Sequence, residues 1–353
     1  MSDIGRLLDA RRITALLSSR AVASDDHDVE RMVACHTEDG MDDHGDGLSA
    51  ARRFIEDVAA TRYRDPDNGP QKHVLANVII DFIDDHSAFA ESYHLAYHRM
   101  GMTGTQTDDL VGGRYLDLLR RVHGQWRIQK RTVVYDWSRG LDARDPARPR
   151  RASIVREQEP RGSSKESEDM SDNTALDELI DKDAITRVLY TRARAADRRD
   201  HALALSCYHE GATEVHEGYS TTAKDFLLEK SLYAPGKEAP SHTLMHLITN
   251  VLIDLRGDEA FVESYHLCLM SGGTGEEETD TMIGGRYLDT FRRIDGRWAI
   301  AHREVTFDWS RTEPAVRRFW DDNENKHLIS FGDFGPEDPL YRYVERGVAP
   351  GEA

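Results

Sequence analysis

Long apolar runs are missing from this 353-residue chain. No stretch of 18 apolar residues occurs, so no transmembrane helix is expected. Basic charge is in deficit: 46 lysines and arginines stand against 64 aspartates and glutamates, a formal net charge of −18. Such a surface repels phosphate backbones, which argues against nucleic acid and leaves neutral or cationic small molecules as partners. Cysteine is scarce. Cys35, Cys207 and Cys268 show no metal-type clustering, and the first two occupy equivalent positions of the repeat described below. All three therefore read as reduced core residues of a cytoplasmic protein. The opening MSDIGRLLDARR lacks an apolar signal core and mixes both charge signs, unlike a secretory or transit peptide. Glycine-rich phosphate loops and nucleophile elbows are absent as well.

The chain repeats itself instead. GGRYLD occurs at Gly112–Asp117 and again at Gly284–Asp289, 172 residues further on. The 28-residue segments that start there share 17 positions, from GGRYLD to YDWSR and FDWSR, too many for chance. ESYHL recurs at Glu91 and Glu263, and HVLANVIID at His73 returns as HLITNVLID at His246. Self-similarity on this scale marks a duplicated unit, and the length suits two domains. We expect a first domain over 1–140, a polar linker over 141–172, a second domain over 173–312 and a C-terminal extension over 313–353. The linker is rich in Pro, Arg, Ser and Glu and cannot bury a core.

Each copy reads as helices followed by strands. Apolar residues near helical spacing predict helices over 7–24 and 176–196, with shorter ones over 29–35 and 50–60. Four β-rich stretches follow over 73–83, 88–100, 110–121 and 126–137, with a Gly turn between the last two. Helices first and an antiparallel run second indicate an α+β unit, with three helices packed on one curved sheet.

The two-residue period of a strand places His73, Leu75, Asn77 and Ile79 on one face, and His246, Ile248, Asn250 and Leu252 on its counterpart. A His and an Asn among apolar neighbours suggest a lined cavity. Arg131 and Arg303 lie within apolar stretches of the last strand and need partners, since an unpaired buried charge is costly. Asp25 and Asp197 end the first helix of each copy, and Arg20 and Arg192 precede them by five residues. Each half thus offers an Asp, a His and two Arg, a set suited to proton abstraction. Imidazole is a base near neutral pH. A carboxylate beside it fixes the tautomer and stabilises the imidazolium, and a cation facing them stabilises a developing oxyanion or departing anion. For any one of these residues a core or capping role is the simpler reading. His94 and His266 of ESYHL, and Tyr135 on the last strand, are further candidates for the pocket. His44 and His216 suit either the pocket mouth or a turn. His94 and His98 have the four-residue spacing of zinc helices but lie on a strand without the Glu, so no metal site is expected.

With these motifs each half resembles a SnoaL-like domain of the nuclear-transport-factor-2-like superfamily, over roughly 7–139 and 176–311. The resemblance implies a cone-shaped α+β barrel whose interior is the pocket. It also implies a His–Asp dyad like those of hexachlorocyclohexane dehydrochlorinase, scytalone dehydratase and bile-acid dehydratase. Those motif positions fall on Asp25, His73, Asn77 and Arg131, and on Asp197, His246, Asn250 and Arg303. The dehydrochlorinase has Lys where this chain has Arg20 or Arg192. Arg stays protonated and suits an anion rather than proton shuttling. The expectation is a lyase without a cofactor, acting on a hydrophobic cyclic or aromatic small molecule. Alternatives are ketosteroid-isomerase-like proton transfer, a C–C lyase that releases formaldehyde from lignin-derived aromatics, and a non-catalytic binding or assembly module. The two halves would pair internally, assemble between chains, or both.

Overall fold

A computed structural model describes residues 3–45, 47–63, 71–102, 105–142, 172–216, 218–316, 318, 327 and 329–341. The expected linker falls largely on 143–171, outside the described residues. Helix α1 (Asp3–Asp25) opens the first repeat and α4 (Asp172–Asp197) the second. Each forms because apolar side chains recur every four residues. Ile13, Leu17 and Ala21 are buried, as are Ile185, Leu189 and Ala193. The short helices α2 (Val29–Ala34) and α5 (His201–Ser206) follow, capped by the side chains of Asp28 and Asp200. Helix α3 (Ala51–Val58) and its shorter counterpart α6 (Ala223–Asp225) complete the helical sets.

The first sheet holds β1 (His36–Asp43), β2 (Ser49–Ala50), β3 (Gln71–Phe82), β4 (Ser87–Met102), β5 (Thr105–Val122) and β6 (Gln125–Asp142). The second holds β7 (Tyr208–His216), β8 (Tyr219–Thr222), β9 (Thr243–Arg256), β10 (Glu259–Gly272), β11 (Thr279–Ile294) and β12 (Arg297–Pro314). The strand orders match, β2-β1-β6-β5-β4-β3 and β8-β7-β12-β11-β10-β9. The four long strands of each sheet are antiparallel, as expected. Strands β1 and β7 were not expected and join β6 and β12 in parallel. HTEDGMDD carries too much charge to read as a strand, yet it supplies Asp42 to the interior. In the core of each repeat, Trp126 and Ile128, or Trp298 and Ile300, pack on the buried face of the first helix.

Strands β3 and β9 are each broken by a bulge at an asparagine. Asn77 has φ 47° and Asn250 φ 51°, and the ladders slip beside them. A bulge inserts a residue and re-aims the side chain. The alternation that put both asparagines on the cavity face therefore fails. Asn77 instead reaches the second repeat, donating to the His246 carbonyl at 2.7 Å and accepting the Ile248 N–H at 2.7 Å. Asn250 is exposed. The contact between repeats is one-directional: Tyr93 and Trp137 of the first are buried against Met245, Leu247 and Leu269 of the second. Their counterparts Tyr265 and Trp309 are 43% and 50% exposed. The C-terminal segment returns to the first repeat, where β13 (Ser330–Phe331) pairs with β6.

Candidate active site

Helix α4 ends at Asp197, which brings its carboxylate against the start of β9. Asp197 Oδ1 lies 2.5 Å from Nδ1 of His246, and Oδ2 accepts the His246 backbone N–H at 3.0 Å. The same clamp joins Asp25 and His73, at 2.7 and 3.2 Å. Both carboxylate oxygens are used, one on the ring and one on the peptide, so the imidazole cannot swing without breaking the pair. An Nδ1–H held by carboxylate leaves Nε2 as the basic nitrogen of the neutral ring. Burial opposes charge on His246, but Cys268, Tyr287 and Asp197 outweigh it and hold the ring well above the ordinary histidine range.

His246 lines a cavity of about 1040 Å³ in the second repeat. Leu244, Met270, Ile283, Val305, Phe307 and Trp309 give it apolar walls. His266, His216, Arg192 and Arg303 also line it. His98, the counterpart of Met270, lies edge-on to His73 with ring centroids 5.3 Å apart.

The second histidines are set by GGRYLD. His266 stacks on Tyr287 at 4.5 Å and His94 on Tyr115 at 4.2 Å. The ladder slips between the two glycines of each motif. A Cβ on Gly285 would lie 2.0 Å from the Thr306 carbonyl and 2.7 Å from His266 Nε2. On Gly113 it would lie 2.1 Å from the Val134 carbonyl and 3.0 Å from His94. The glycines thus let β5 and β11 close on the next strand beside the histidine. Burial, with His246 nearby, lowers His266 to about 4, so its ring is neutral near pH 7. His94 is held well below its ordinary range, again chiefly by burial. Nε2 of His266 faces the Thr306 carbonyl at 3.4 Å, while its buried Nδ1 has no hydrogen-bond partner.

Arg303 forms a two-pronged pair with Asp289, both contacts 2.7 Å, and its guanidinium lies 4.1 Å from the Tyr287 ring centre. Arg131 and Asp117 repeat this at 2.8 Å over Tyr115. Arg192 lies 3.7 Å from Glu214 and Arg20 4.0 Å from Asp42. His216 Nε2 sits 2.8 Å from Glu214 and His44 Nε2 2.9 Å from Asp42. Burial raises the Glu214 carboxyl, but His216 and the arginines win and bring it to about 2. The four arginines thus meet the interior as halves of ion pairs. They fix its walls and its charge balance rather than standing as lone cations.

The structure therefore brings Asp25, His73, Arg20, Arg131, His94 and His44 together in one repeat, and Asp197, His246, Arg192, Arg303, His266 and His216 in the other. Tyr135 donates to the His44 carbonyl at 3.2 Å. Asn77 and Asn250 are corrected, as above. Sequence reasoning missed Asp117, Asp289, Tyr115, Tyr287, Asp42 and Glu214. The first four had a signal, since alternation along GGRYLD puts Gly, Tyr and Asp on one face and Arg on the other. Among the described residues no three His, Cys, Asp or Glu side chains gather as a metal site.

The profile of the SnoaL-like domain family matches this chain twice, over residues 5–132 and 177–304. The chain belongs to that family, as a tandem of two domains. Its α+β architecture is the expected one in each copy. Among solved structures it is similar to a type 2 hexachlorocyclohexane dehydrochlorinase, at 19% identity and TM-score 0.38, over 42% of this chain and 99% of that one. It is similar to a type 3 dehydrochlorinase from Novosphingobium barchaimii, at 20% and 0.36, over 40% and 97%. A scytalone dehydratase-like protein from Novosphingobium aromaticivorans matches at 22% and 0.35, over 40% and 93%. No curated protein matches the chain. No helix among the described residues is long and apolar enough to cross a membrane.

Proposed function

We propose that this tandem SnoaL-like protein is a lyase, of the dehydratase or dehydrohalogenase type, that needs no cofactor. Its substrate is a hydrophobic cyclic or aromatic molecule. The observation that carries the reading is His246, tied through Nδ1 to Asp197, in the wall of a largely apolar cavity of about 1040 Å³. A largely apolar cavity with a few fixed polar groups suits a small hydrophobic ligand.

In the reaction, Nε2 of the neutral His246 takes a proton from the carbon next to the one bearing the leaving group. The C–H electron pair becomes the new double bond. The bond to the leaving group breaks, and the group departs with its electron pair, as halide, or as an oxygen that takes the proton back from the His246 imidazolium and leaves as water. Asp197 stabilises the imidazolium that results. His266, a neutral ring in the cavity wall, sets the orientation of the substrate ring. General-base help of this kind is worth ~10²–10⁴ in rate. His73 and Asp25 perform the same step in the first repeat.

The test is a panel of hydroxylated, halogenated and keto cyclic compounds, with steroids and lignin-derived diaryls included, incubated with the protein alone and read by mass spectrometry. The His73→Ala/His246→Ala double variant is the blank. Dyad-dependent loss of water or hydrogen halide is expected. Loss of formaldehyde would make the protein a C–C lyase, and a new retention time at unchanged mass an isomerase. Binding of a compound without turnover, and unchanged in the double variant, would make it a binding module.

A further inference from the structure

The two dyads are alike in geometry but not in what holds them. Both partners of the second one are gripped by the first repeat. The His246 carbonyl accepts from Asn77, whose side-chain oxygen also takes the Ile248 N–H. Arg198, next in the chain to Asp197, is buried, with Nη2 3.1 Å from Asp136 of β6 and Nε 3.5 Å from Asp338 of the tail. Its carbonyl accepts the Gly335 N–H at 2.6 Å. One turn earlier, Arg194 Nε lies 2.6 Å from Glu91 of β4. The fully buried Arg114 bonds the same three carboxylates, Glu91 at 3.2 Å, Asp136 at 2.9 Å and Asp338 at 2.8 Å. Three arginines and three carboxylates thus lock the last turn of α4 onto the outer face of the first sheet. A buried cluster of ion pairs of this kind stiffens the segment that it holds.

Among the described residues no such contact from the other repeat reaches the first dyad, whose Asp25 also lies 3.7 Å from Lys72 of its own repeat. Asp26, the counterpart of Arg198, is 58% exposed and 4.0 Å from Arg31 on its own repeat. Val22, the counterpart of Arg194, is 45% exposed. Asn250, the counterpart of Asn77, faces solvent.

We infer that Asn77 and Asp136 of the first repeat, acting through the His246 peptide and Arg198, are positioning residues that set Asp197 against His246. The second site then depends on the first repeat and the tail, while Asp25 and His73 take no hydrogen bond or ion pair from the second repeat among the described residues. The inference rests on the dyad of the proposed reaction but not on whether that reaction is an elimination.

The full chain, isotope-labelled at histidine, allows the His246 and His73 imidazoles to be titrated separately by NMR. Asn77→Gly keeps the positive φ accessible and removes the clamp on the His246 peptide. Asp136→Asn keeps the shape and removes the charge that Arg198 meets. Each is expected to lower the His246 midpoint by about one pH unit, a tenfold loss of proton affinity, and leave His73 unmoved. Asp136→Glu is expected to restore part of the shift. Arg187→Ala cuts a contact between the repeats away from the dyad, to the Ile80 carbonyl and Asp81. It is expected to move neither ring, which a merely adhesive role for the interface would not distinguish from the other variants. If Asp136→Asn does not fold, Asn77→Gly carries the test. An unmoved His246 in that variant, with Asp197→Asn still lowering its midpoint, overturns the inference and spares the dyad. An unmoved His246 in Asp197→Asn removes the dyad itself.

Discussion

Asp197 holds His246 twice, by Oδ1 to the ring Nδ1 at 2.5 Å and by Oδ2 to the backbone N–H at 3.0 Å. The peptide contact fixes where the strand starts and the ring contact fixes the tautomer. Asp197→Asn keeps the shape, yet its amide cannot stabilise the imidazolium. In a His73→Ala background, where only the second site turns over, Asp197→Asn is expected to lower kcat by ~10²–10⁴ with a smaller change in KM. Steady-state kinetics on the first substrate found checks this.

The pH dependence follows from the raised His246. A base must be neutral to act, so turnover by the second site rises as pH climbs from neutral toward the folded-state value. The same shift acts on stability with the opposite slope. A histidine raised on folding contributes stability that is fully present below its unfolded value of about 6.5. That contribution is lost as pH rises through the folded value. Denaturation of the parent chain and His246→Ala at pH 6 and pH 9 should show the gap between them narrowing at pH 9.

Buried neutral histidines work the other way. Burial, aided by Arg20 and only partly offset by Asp42, lowers His36 to about 4. His266 is also lowered to about 4. The unfolded chain therefore binds more protons than the folded one between about 6.5 and about 4, and stability falls with pH across that window. His36 alone contributes at most on the order of 3 kcal/mol of this loss. His36→Tyr copies the second repeat, where Tyr208 bonds Glu214 and Arg192. Urea unfolding at pH 7 and pH 5 should show a smaller acid loss in that variant.

The glycines of GGRYLD give a sharper structural test. In Gly285→Ala the new methyl meets the Thr306 carbonyl and His266, so either the strand pairing or the histidine must shift. A cost of about 1–3 kcal/mol is expected, with a displaced His266 signal. Gly296→Ala is the contrast, since a Cβ there meets nothing within 4 Å, although its φ of 76° adds local strain. Thermal melts and histidine NMR separate loss of packing from loss of backbone freedom.

The duplication, the helices and the four long strands were legible because they follow from periodicity and from the repeat itself, whereas the pairing of Asp25 with His73 and of Asp197 with His246 was expected from the family resemblance. Strands β1 and β7 were not, because their residues are polar and their burial depends on parallel pairing with β6 and β12. Asn77 was misplaced because alternation assumes an unbroken strand and a bulge leaves no signature in period two. The carboxylates Asp117 and Asp289 lay hidden inside a motif whose exact repetition drew attention to its length rather than to its faces. The different surroundings of the two dyads could not be read from either copy alone. They arise from the packing of one repeat on the other, where identical letters such as Arg114 and Arg286 come to lie in a core and at a surface.

Turnover of the first substrate found in the compound panel should be compared in the parent chain, His73→Ala, His246→Ala and the double variant. The predicted result is partial loss in each single variant and loss of turnover in the double, with all four chains folded. Full activity in the double variant would contradict the dyads as the seat of the chemistry.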